Sequence, residues 1–256
     1  MKDIYEEIIR VKKEGIPAAL ATVTSVKGSS PGKEHFKMLV SQDGNIIGTV
    51  GGGSLESLVI EKSKEIIKTE KAEQFDFNLN MIGECATGML CGGSITVFIE
   101  PIVNHFAYIF GGGHVGLYLS QVLTMIGFST VIIDDRTEFS NKDRFPEATN
   151  TLAGDYDSIM KTIELKKPSY IIITTRGHNY DEEVLEWAIK QEAKYIGMIG
   201  SKKKVATIYD NLKAKGISQE ELDKVYSPIG LKINAVSAEE IAISIAAELI
   251  QIKRQQ

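Results

Sequence analysis

A glycine-rich turn, G-G-G-H-V-G at residues 111 to 116, lies between an apolar run and an apolar helical pattern. Gly111, Gly113 and Gly116 have the spacing G-x-G-x-x-G, which between a strand and a helix is typical of dinucleotide-binding folds. The first glycine takes a tight turn, the second lets backbone N–H groups approach a phosphate, and the third lets helix and strand pack closely. His114, inside the turn, either reaches the ligand or is a partly exposed turn histidine. The turn therefore predicts a phosphate-binding βαβ unit.

Acidic and basic side chains follow the next predicted strand, T-V-I-I-D at residues 130 to 134. Asp134 lies 21 residues after Gly113, a separation at which an acidic side chain accepts hydrogen bonds from a ribose 2′-hydroxyl. We therefore place Asp134 and Asp135 in the candidate cofactor site. Arg136 has two interpretations, a residue that tolerates a 2′-phosphate or a solvated surface charge.

Other strand ends contribute candidate ligand contacts, because the carboxyl ends of parallel strands face the ligand crevice. Asp155 follows a third predicted strand and either contacts a base or caps the next helix. The stretch R-G-H-N-Y-D supplies Arg176, His178 and Asp181, which are a cation, an imidazole and a carboxylate at that edge, and helix capping is the alternative use of Asp181. Ser201, followed by three lysines, can cradle an anion at a helix N-terminus. Positive charge in a first turn opposes the helix dipole, so an anionic partner is favoured over a solvated basic turn.

The pattern of apolar residues divides the chain into two predicted domains, residues 1–103 and residues 104–256. Short β-branched strands and two amphipathic helices predict an N-terminal α+β domain. The second domain alternates apolar strands with helices, which predicts a Rossmann-like parallel sheet and an α/β fold class. Its predicted strands cover 108–110, 130–134, 170–175 and 195–200, and its predicted helices 114–126, 157–165, 181–191 and 202–215.

Composition narrows the range of functions. The formal charge of −5 and a pI near 5.5 argue against nucleic acid as a partner. No run approaches the roughly 18 apolar residues of a membrane span, and the start lacks the apolar core of a signal peptide, so we expect a cytoplasmic protein.

Cys85 and Cys91 are too few for a four-thiolate site, and no metal site is predicted. The last helix, which begins after Ser237, is apolar on more than one face, which favours a homodimer.

A series of short segments spans nearly the whole chain: V-K-G-S-S-P-G, K-M-L-V, G-T-V-G-G-G-S-L-E, L-C-G-G-S-I-T-V-F-I-E-P, G-G-G-H-V-G, I-D-D-R, G-H-N-Y-D, G-M-I-G-S-K-K-K and S-P-I-G-L. Together they resemble the XdhC/CoxI family, the xanthine dehydrogenase accessory factors. The resemblance implies binding of the molybdenum cofactor, as molybdopterin or its dinucleotide. It also implies that a sulfurtransferase, a cysteine desulfurase, installs the terminal sulfur before the cofactor passes to xanthine dehydrogenase or a related molybdenum hydroxylase.

The same resemblance gives Cys91, at the position of the family's C-G-G, the role of a soft ligand for molybdenum or a sulfur contact. The alternative is a small buried residue at a strand entry. The chain departs from the family pattern at Ser54, where a cysteine is expected, and at Gly32, where many relatives carry an arginine. Both departures fall on the implied cofactor side, so they bear on whether this member handles a sulfurated centre.

Two other functions fit the glycine turn and the aspartates. An NAD(P)-dependent oxidoreductase would need a catalytic set, and Arg176, His178 and Asp181 alone do not define one, so no catalytic residue is assigned. An NAD(P)-sensing regulatory protein would use the same crevice without turnover. The chain by itself is not a xanthine dehydrogenase, because each of that enzyme's two iron–sulfur clusters needs four cysteines and the chain has two. We therefore expect a non-catalytic cofactor chaperone.

Overall fold

The computed structural model describes residues 3–79 and 93–255. The chain divides into two compact units, residues 1–104 and residues 105–255. The first unit contains an antiparallel sheet and the second a parallel one, which confirms the predicted fold class of a Rossmann-like domain with an N-terminal α+β domain. Within the described residues, no helix is both long enough and apolar enough to cross a membrane.

The described elements of the first unit are the helices α1 (Ile4–Glu14) and α2 (Gly53–Thr69) and the strands β1 (Ala18–Lys27), β2 (Lys37–Ser41), β3 (Ile46–Gly48), β4 (Glu73–Asn78) and β5 (Ser94–Ile102). The strands are antiparallel neighbours in the order β3-β2-β1-β5-β4. Leu55, Val59 and Ile66 recur at helical spacing on α2 and are buried in one core with residues of β1 and β5. The apolar stripe of α2 therefore covers one face of this sheet.

The second unit alternates strands and helices along the chain. Its described strands are β6 (His105–Phe110), β7 (Phe128–Asp134), β8 (Asn150–Ala153), β9 (Ser169–Ile173) and β10 (Tyr195–Met198), and its helices are α3 (His114–Met125), α4 (Tyr156–Met160), α5 (His178–Ala188), α6 (Lys202–Ala214), α7 (Gln219–Leu222) and α8 (Ala238–Arg254). Every residue of β6 and β9 is buried, because α5 and α6 pack on one face of the sheet and α3 and α8 on the other.

The direction of strand addition reverses at the centre of this parallel sheet, whose order is β10-β9-β6-β7-β8. The chain passes from β6 to β7 and β8 on one side and then returns to β9 and β10 on the other. Such a reversal opens a crevice at the carboxyl ends of the two central strands, where α/β proteins bind ligands. The turns after β6, β7, β9 and β10 therefore define the candidate site.

Two predicted helix ranges differ from the observed bounds, since α4 is shorter than predicted and α5 begins and ends three residues earlier. Helix α4 ends at Met160 rather than at residue 165. Beyond it Ile163 and Leu165 reach the core from a non-helical segment, so their apolar spacing is satisfied without a longer helix. Helix α5 begins at His178 rather than at residue 181, because Gly177 already takes the N-cap position with extended backbone. Asp181 consequently lies inside the first turn of α5 rather than at its N-cap, so helix capping, the alternative use of Asp181, is wrong.

Candidate functional site

Close backbone contacts fix three glycines in the turn after β6. Gly111 has a φ of +118°, and a Cβ atom on it would lie 2.2 Å from the carbonyl oxygen of Thr174. A Cβ atom on Gly112 would lie 1.9 Å from the carbonyl oxygen of Phe139, and one on Gly116 would lie 2.0 Å from that of Gly111. These positions have no room for a side chain, so the turn and α3 pack as closely as the glycine spacing predicts.

Gly113 differs from these three, because nothing in the described chain requires a glycine there. Its φ of −65° and ψ of −164° suit any residue, and no described heavy atom lies within 4 Å of its Cβ position. Gly113 is the N-cap of α3, and no side chain in the described part of the chain caps that helix. His114 follows as the first helical residue and is exposed. Open space beside uncapped backbone N–H groups suits a phosphate.

Asp134 is buried, and both of its carboxylate oxygens accept hydrogen bonds from within the chain. Oδ2 accepts from the backbone N–H of Gly112 at 2.8 Å and from Nη2 of Arg136 at 3.1 Å, while Oδ1 accepts from Nε of Arg136 at 2.9 Å. Burial acts to raise the pKa of Asp134, but the hydrogen bonds from Arg136 and Gly112 outweigh it and hold the pKa below its ordinary value. Asp134 therefore positions the glycine turn. Arg136 is engaged by this carboxylate and stacks 3.6 Å from the centre of the Phe139 ring.

An ion pair between Arg176 and Asp135 joins the turns that follow β9 and β7. Nη2 of Arg176 lies 2.5 Å from Oδ2 of Asp135. Because β6 lies between these two strands, the pair spans the carboxyl end of β6, where the glycine turn begins. Oδ1 of Asp135 is buried and accepts no hydrogen bond from the described residues, although Nε of Arg136 lies 3.6 Å away. The side chain of Arg176 is 49% exposed, so its guanidinium is accessible to an anion in the crevice.

A buried ion pair ties α5 to α6. Asp181 is fully buried, and its carboxylate accepts hydrogen bonds from Oγ1 of Thr175 at 2.7 Å and from Nζ of Lys204. Burial raises the pKa of Asp181, although Lys204 and Thr175 oppose this effect. The basic first turn of α6 predicts an anionic partner. For Lys204 this partner is the carboxylate of Asp181 in the same chain. Ser201 caps α6 by accepting a hydrogen bond from the backbone N–H of Lys204 at 3.2 Å.

A cleft of about 440 Å³ lies between the N-terminal turns of α5 and α6. Two predicted site residues, His178 and Ser201, line it together with Lys203 and Lys204, whereas the glycine turn after β6 does not. Gly177 precedes His178, and sequence reasoning missed it. Its backbone is extended, and among the described residues only the Tyr180 ring, at 3.8 Å, comes near its Cβ position, so this position is open like that of Gly113. A glycine that follows a buried strand by a few residues and directly precedes a helix is the signal that could have identified it.

The remaining candidate residues lie elsewhere. Asp155 follows β8 and caps α4 by accepting a hydrogen bond from the backbone N–H of Ser158 at 3.0 Å, which is the alternative use that the sequence left open. Cys91 lies outside the described residues. Within residues 3–79 and 93–255, no group of three or more His, Cys, Asp or Glu side chains is arranged to hold a metal ion.

The first unit contains a second group of glycine turns. A Cβ atom on Gly32 would lie 2.3 Å from the carbonyl oxygen of Val50, and one on Gly51 would lie 2.6 Å from the backbone nitrogen of Gly32. The stretches S-S-P-G and G-T-V-G-G-G-S therefore meet through their backbones. Because of these contacts, position 32 has no space for the arginine that many relatives carry there. Ser54, the other departure, is the second residue of α2 and is partly buried.

Family models match both units of the chain. The XdhC Rossmann domain matches residues 107–249, and the XdhC and CoxI family matches residues 11–78. The chain therefore belongs to the XdhC and CoxI family, which confirms the resemblance found in the sequence.

Several known proteins are similar to the chain. The uncharacterized protein YqeB of Escherichia coli K12 is 31% identical over 98% of the chain and 46% of its own length. A Bacillus subtilis protein named as a probable xanthine dehydrogenase subunit is 25% identical over 57% of the chain and 42% of its own length. The molybdenum cofactor insertion chaperone PaoD of E. coli K12 is 22% identical over 100% of the chain and 91% of its own length. The chain thus spans less than half the length of the first two.

A solved structure shares the fold. The crystal structure of a protein described as a xanthine dehydrogenase from Bacillus halodurans superposes with a TM-score of 0.55 and 24% identity. The superposition covers 100% of this chain and 97% of the other. At this identity the likeness concerns the fold alone.

Proposed function

We propose that this chain is an accessory factor that binds the molybdenum cofactor, as molybdopterin or its dinucleotide. It assists sulfuration of the cofactor and its insertion into xanthine dehydrogenase or a related molybdenum hydroxylase. Two relatives support this, since one is named a molybdenum cofactor insertion chaperone and the other is named as part of a probable xanthine dehydrogenase. The observation that carries the proposal is the Cβ position of Gly113, which is open among the described residues, beside an N-terminus of α3 that no described side chain caps.

The crevice residues fit the phosphate end of such a cofactor. Backbone N–H groups at the start of α3, next to Gly113, and the half-exposed guanidinium of Arg176 are donors of the kind that phosphate prefers. His114 and His178 are exposed and begin α3 and α5, the helices that follow the adjacent strands β6 and β9. Both can therefore flank a bound phosphate. Ser201 contributes to the neighbouring cleft.

The aspartates act on this site through the residues that they hold. Asp134 positions the glycine turn and Arg136, while Asp135 holds Arg176. Asp155 acts indirectly, by fixing the start of α4, the helix that follows β8. None of these roles requires the carboxylates themselves to meet a phosphate, which they would repel.

The metal end of the cofactor calls for a soft ligand. We assign this role to Cys91 on the basis of the family pattern, with Ser54 standing where the family has its other cysteine. When bound, the cofactor supplies the molybdenum centre and its terminal sulfur. The chain's own part is to hold the phosphate and to shield the bound group from water.

The proposal implies two protein partners. A molybdenum hydroxylase such as xanthine dehydrogenase receives the cofactor, and a sulfurtransferase of the cysteine desulfurase type supplies the sulfur. We place these encounters in the cytoplasm and the chain in a homodimer. Co-purification with the tagged protein tests whether each partner binds it. Comparing the amount of partner retained before and after anaerobic removal of the cofactor measures whether that binding depends on the cofactor.

Binding of NAD(P) by a regulatory module is the second candidate, because the glycine turn also suits a dinucleotide pyrophosphate. An NAD(P)-dependent oxidoreductase that uses the same turn has less support. Of the three groups at the end of β9 that could take part in catalysis, Asp181 is fully buried in its ion pair with Lys204.

Anaerobic ligand titration distinguishes these candidates. Purified protein is mixed with molybdopterin or with NAD(H), bound and free ligand are separated by gel filtration, and each is measured by fluorescence. We expect about one pterin per chain and little retained NAD(H). The reverse result, retained NAD(H) without pterin, would replace the accessory role by nucleotide binding.

Variants at Gly113 locate the site. Gly113→Asp adds a negative charge where the phosphate is proposed to bind, so it should abolish retention of the pterin while the protein stays folded. Gly113→Ala controls for the added Cβ, and Asn150→Asp adds the same charge at an exposed position on β8. Equal pterin binding by Gly113→Asp and Asn150→Asp would place the ligand elsewhere.

A further inference from the structure

We propose that Arg144 is a positioning residue of the phosphate site, because it sets the direction of the N–H group of Gly113. This inference rests on the proposed function and concerns the same crevice. Nε of Arg144 donates a hydrogen bond of 3.1 Å to the carbonyl oxygen of Gly112. The peptide bond between Gly112 and Gly113 is trans, so this carbonyl and the N–H of Gly113 point in opposite directions. The N–H of Gly113 therefore points away from Arg144.

The side of the glycine turn opposite Arg144 is the side of β9. Arg144 belongs to the connection between β7 and β8, whereas Arg176 follows β9. Because β6 lies between β7 and β9 in the sheet, these two connections flank the turn after β6 from opposite sides. A carbonyl that faces Arg144 therefore directs the N–H of Gly113 toward the half of the crevice that contains Arg176. Within the described part of the chain, this N–H has no acceptor.

The peptide bond between Gly112 and Gly113 needs such a restraint. Residues 111–113 are three consecutive glycines, which permit many backbone orientations because they have no Cβ atom. The N–H of Gly112 donates to Oδ2 of Asp134 at 2.8 Å, and this contact holds the peptide bond before Gly112. The hydrogen bond from Arg144 holds the peptide bond after it. Together the two side chains fix both peptide bonds and leave the N–H of Gly113 as a donor for the ligand.

Arg144 is itself held in place by aromatic rings. Its guanidinium carbon lies 5.2 Å from the centre of the Phe139 ring and 5.8 Å from that of the buried Phe145. Unlike Arg136 and Arg176, Arg144 forms no ion pair with a described carboxylate. Its charge is therefore not neutralised by such a partner, and this charge strengthens the hydrogen bond to the glycine turn.

Anaerobic titration with molybdopterin tests the effect on affinity. Arg144→Met removes the donor to Gly112, so it should raise the dissociation constant for molybdopterin about tenfold, the effect of one hydrogen bond to a charged phosphate. Arg254→Met is the matched control, because Arg254 is exposed at the end of α8, and its dissociation constant should equal that of the wild type. Circular dichroism melts show whether the variants are folded. An unchanged dissociation constant in Arg144→Met would overturn the proposal.

The NMR signal of the Gly113 amide distinguishes positioning from direct contact. In protein labelled with ¹⁵N-glycine, Gly113→Ala identifies this signal by removing it. Saturating molybdopterin should shift the Gly113 amide proton of the wild type downfield, as a hydrogen bond to a phosphate does. The shift should be absent from saturated Arg144→Met. A shift that persists in this variant would overturn the proposal, because Arg144 would then contact the phosphate itself.

A second variant and a second ligand keep the test decisive. Arg144→Lys is read in the same way if Arg144→Met does not fold, because lysine keeps the charge but has a methylene group at the position of Nε. If the wild type retains NAD(H) but not molybdopterin, the proposed function fails, and the same two readouts with NAD(H) test the role of Arg144 separately. A wild-type protein that binds neither ligand would overturn both proposals.

Discussion

The backbone N–H of Gly112 donates a hydrogen bond of 2.8 Å to Oδ2 of Asp134, so the acidic end of β7 fixes the glycine turn that follows β6. In many nucleotide-binding sheets an acidic residue at this place binds the ribose. In this chain Arg136 occupies the other oxygen of Asp134 as well. The two neighbouring aspartates therefore divide their roles, with Asp134 positioning the turn and Asp135 holding Arg176.

Replacing Asp134 by asparagine should lower the free energy of unfolding by about 2–4 kcal/mol, because Arg136 loses a buried, hydrogen-bonded carboxylate. Equilibrium urea unfolding at neutral pH measures this loss. Asp157→Asn is the matched control: its pair with Lys161 is exposed, so a loss below about 0.5 kcal/mol is expected. Equal losses in the two variants would contradict the positioning role.

The contribution of Asp134 should also disappear in acid. Its pKa is lower in the folded chain than in the unfolded chain, so its stabilising effect is complete above the unfolded pKa of about 4 and is lost as the pH falls through the folded pKa. The difference in unfolding free energy between wild type and Asp134→Asn should therefore be constant near neutral pH and shrink below about pH 4. Urea unfolding as a function of pH measures it. A difference that grows on acidification would be inconsistent with this pKa shift.

Two glycines of the same turn should respond differently to alanine. Gly116→Ala should lower the free energy of unfolding by about 1–3 kcal/mol, because its Cβ atom would lie 2.0 Å from the carbonyl oxygen of Gly111. Gly113→Ala should change it by less than about 0.5 kcal/mol, since its backbone angles suit any residue and its Cβ position is open. Thermal or urea unfolding compares them. Strong destabilisation by Gly113→Ala would mean that this glycine serves packing rather than a ligand.

Lys204→Met should destabilise the fold by about 3 kcal/mol, because the carboxylate of Asp181 stays buried without its cation. The pKa of Asp181 is raised by burial, so its charged form costs stability as the pH rises from the unfolded pKa to the folded one. The loss should therefore be greater at high pH than in mild acid, where Asp181 takes up a proton. Lys203→Met, at the exposed neighbouring position, is the control. A pH-independent loss, or an equal loss in the control, would exclude the buried pair as its cause.

The parallel sheet could be predicted because its strands are short apolar runs, each followed by a helix signal. The glycine turn could be predicted because the roles of Gly111 and Gly116 depend on a local strand-to-helix geometry. The end of α4 could not, since Ile163 and Leu165 keep helical spacing while reaching the core from a non-helical segment. Local pattern alone does not show which backbone delivers an apolar side chain to the core.

The side-chain partners in the site were harder to predict. Asp181 and Lys204 are 23 residues apart, and only the adjacency of α5 and α6 brings them together. From the sequence alone, Asp181 fits a helix cap and Lys204 fits a basic helix turn, both of which are local roles. The hydrogen bond from Gly112 to Asp134 equally depends on neighbouring strand ends, and it gives the aspartate a role in supporting the turn that the sequence did not predict.

Anaerobic purification of the protein, followed by mass spectrometry of the small molecules released on denaturation, would identify the ligand that the crevice holds. We expect a pterin with its phosphate, near one per chain in the wild type and absent from Gly113→Asp. Recovery of NAD(P) without any pterin would contradict it, and would make the crevice of this XdhC and CoxI family member a nucleotide site.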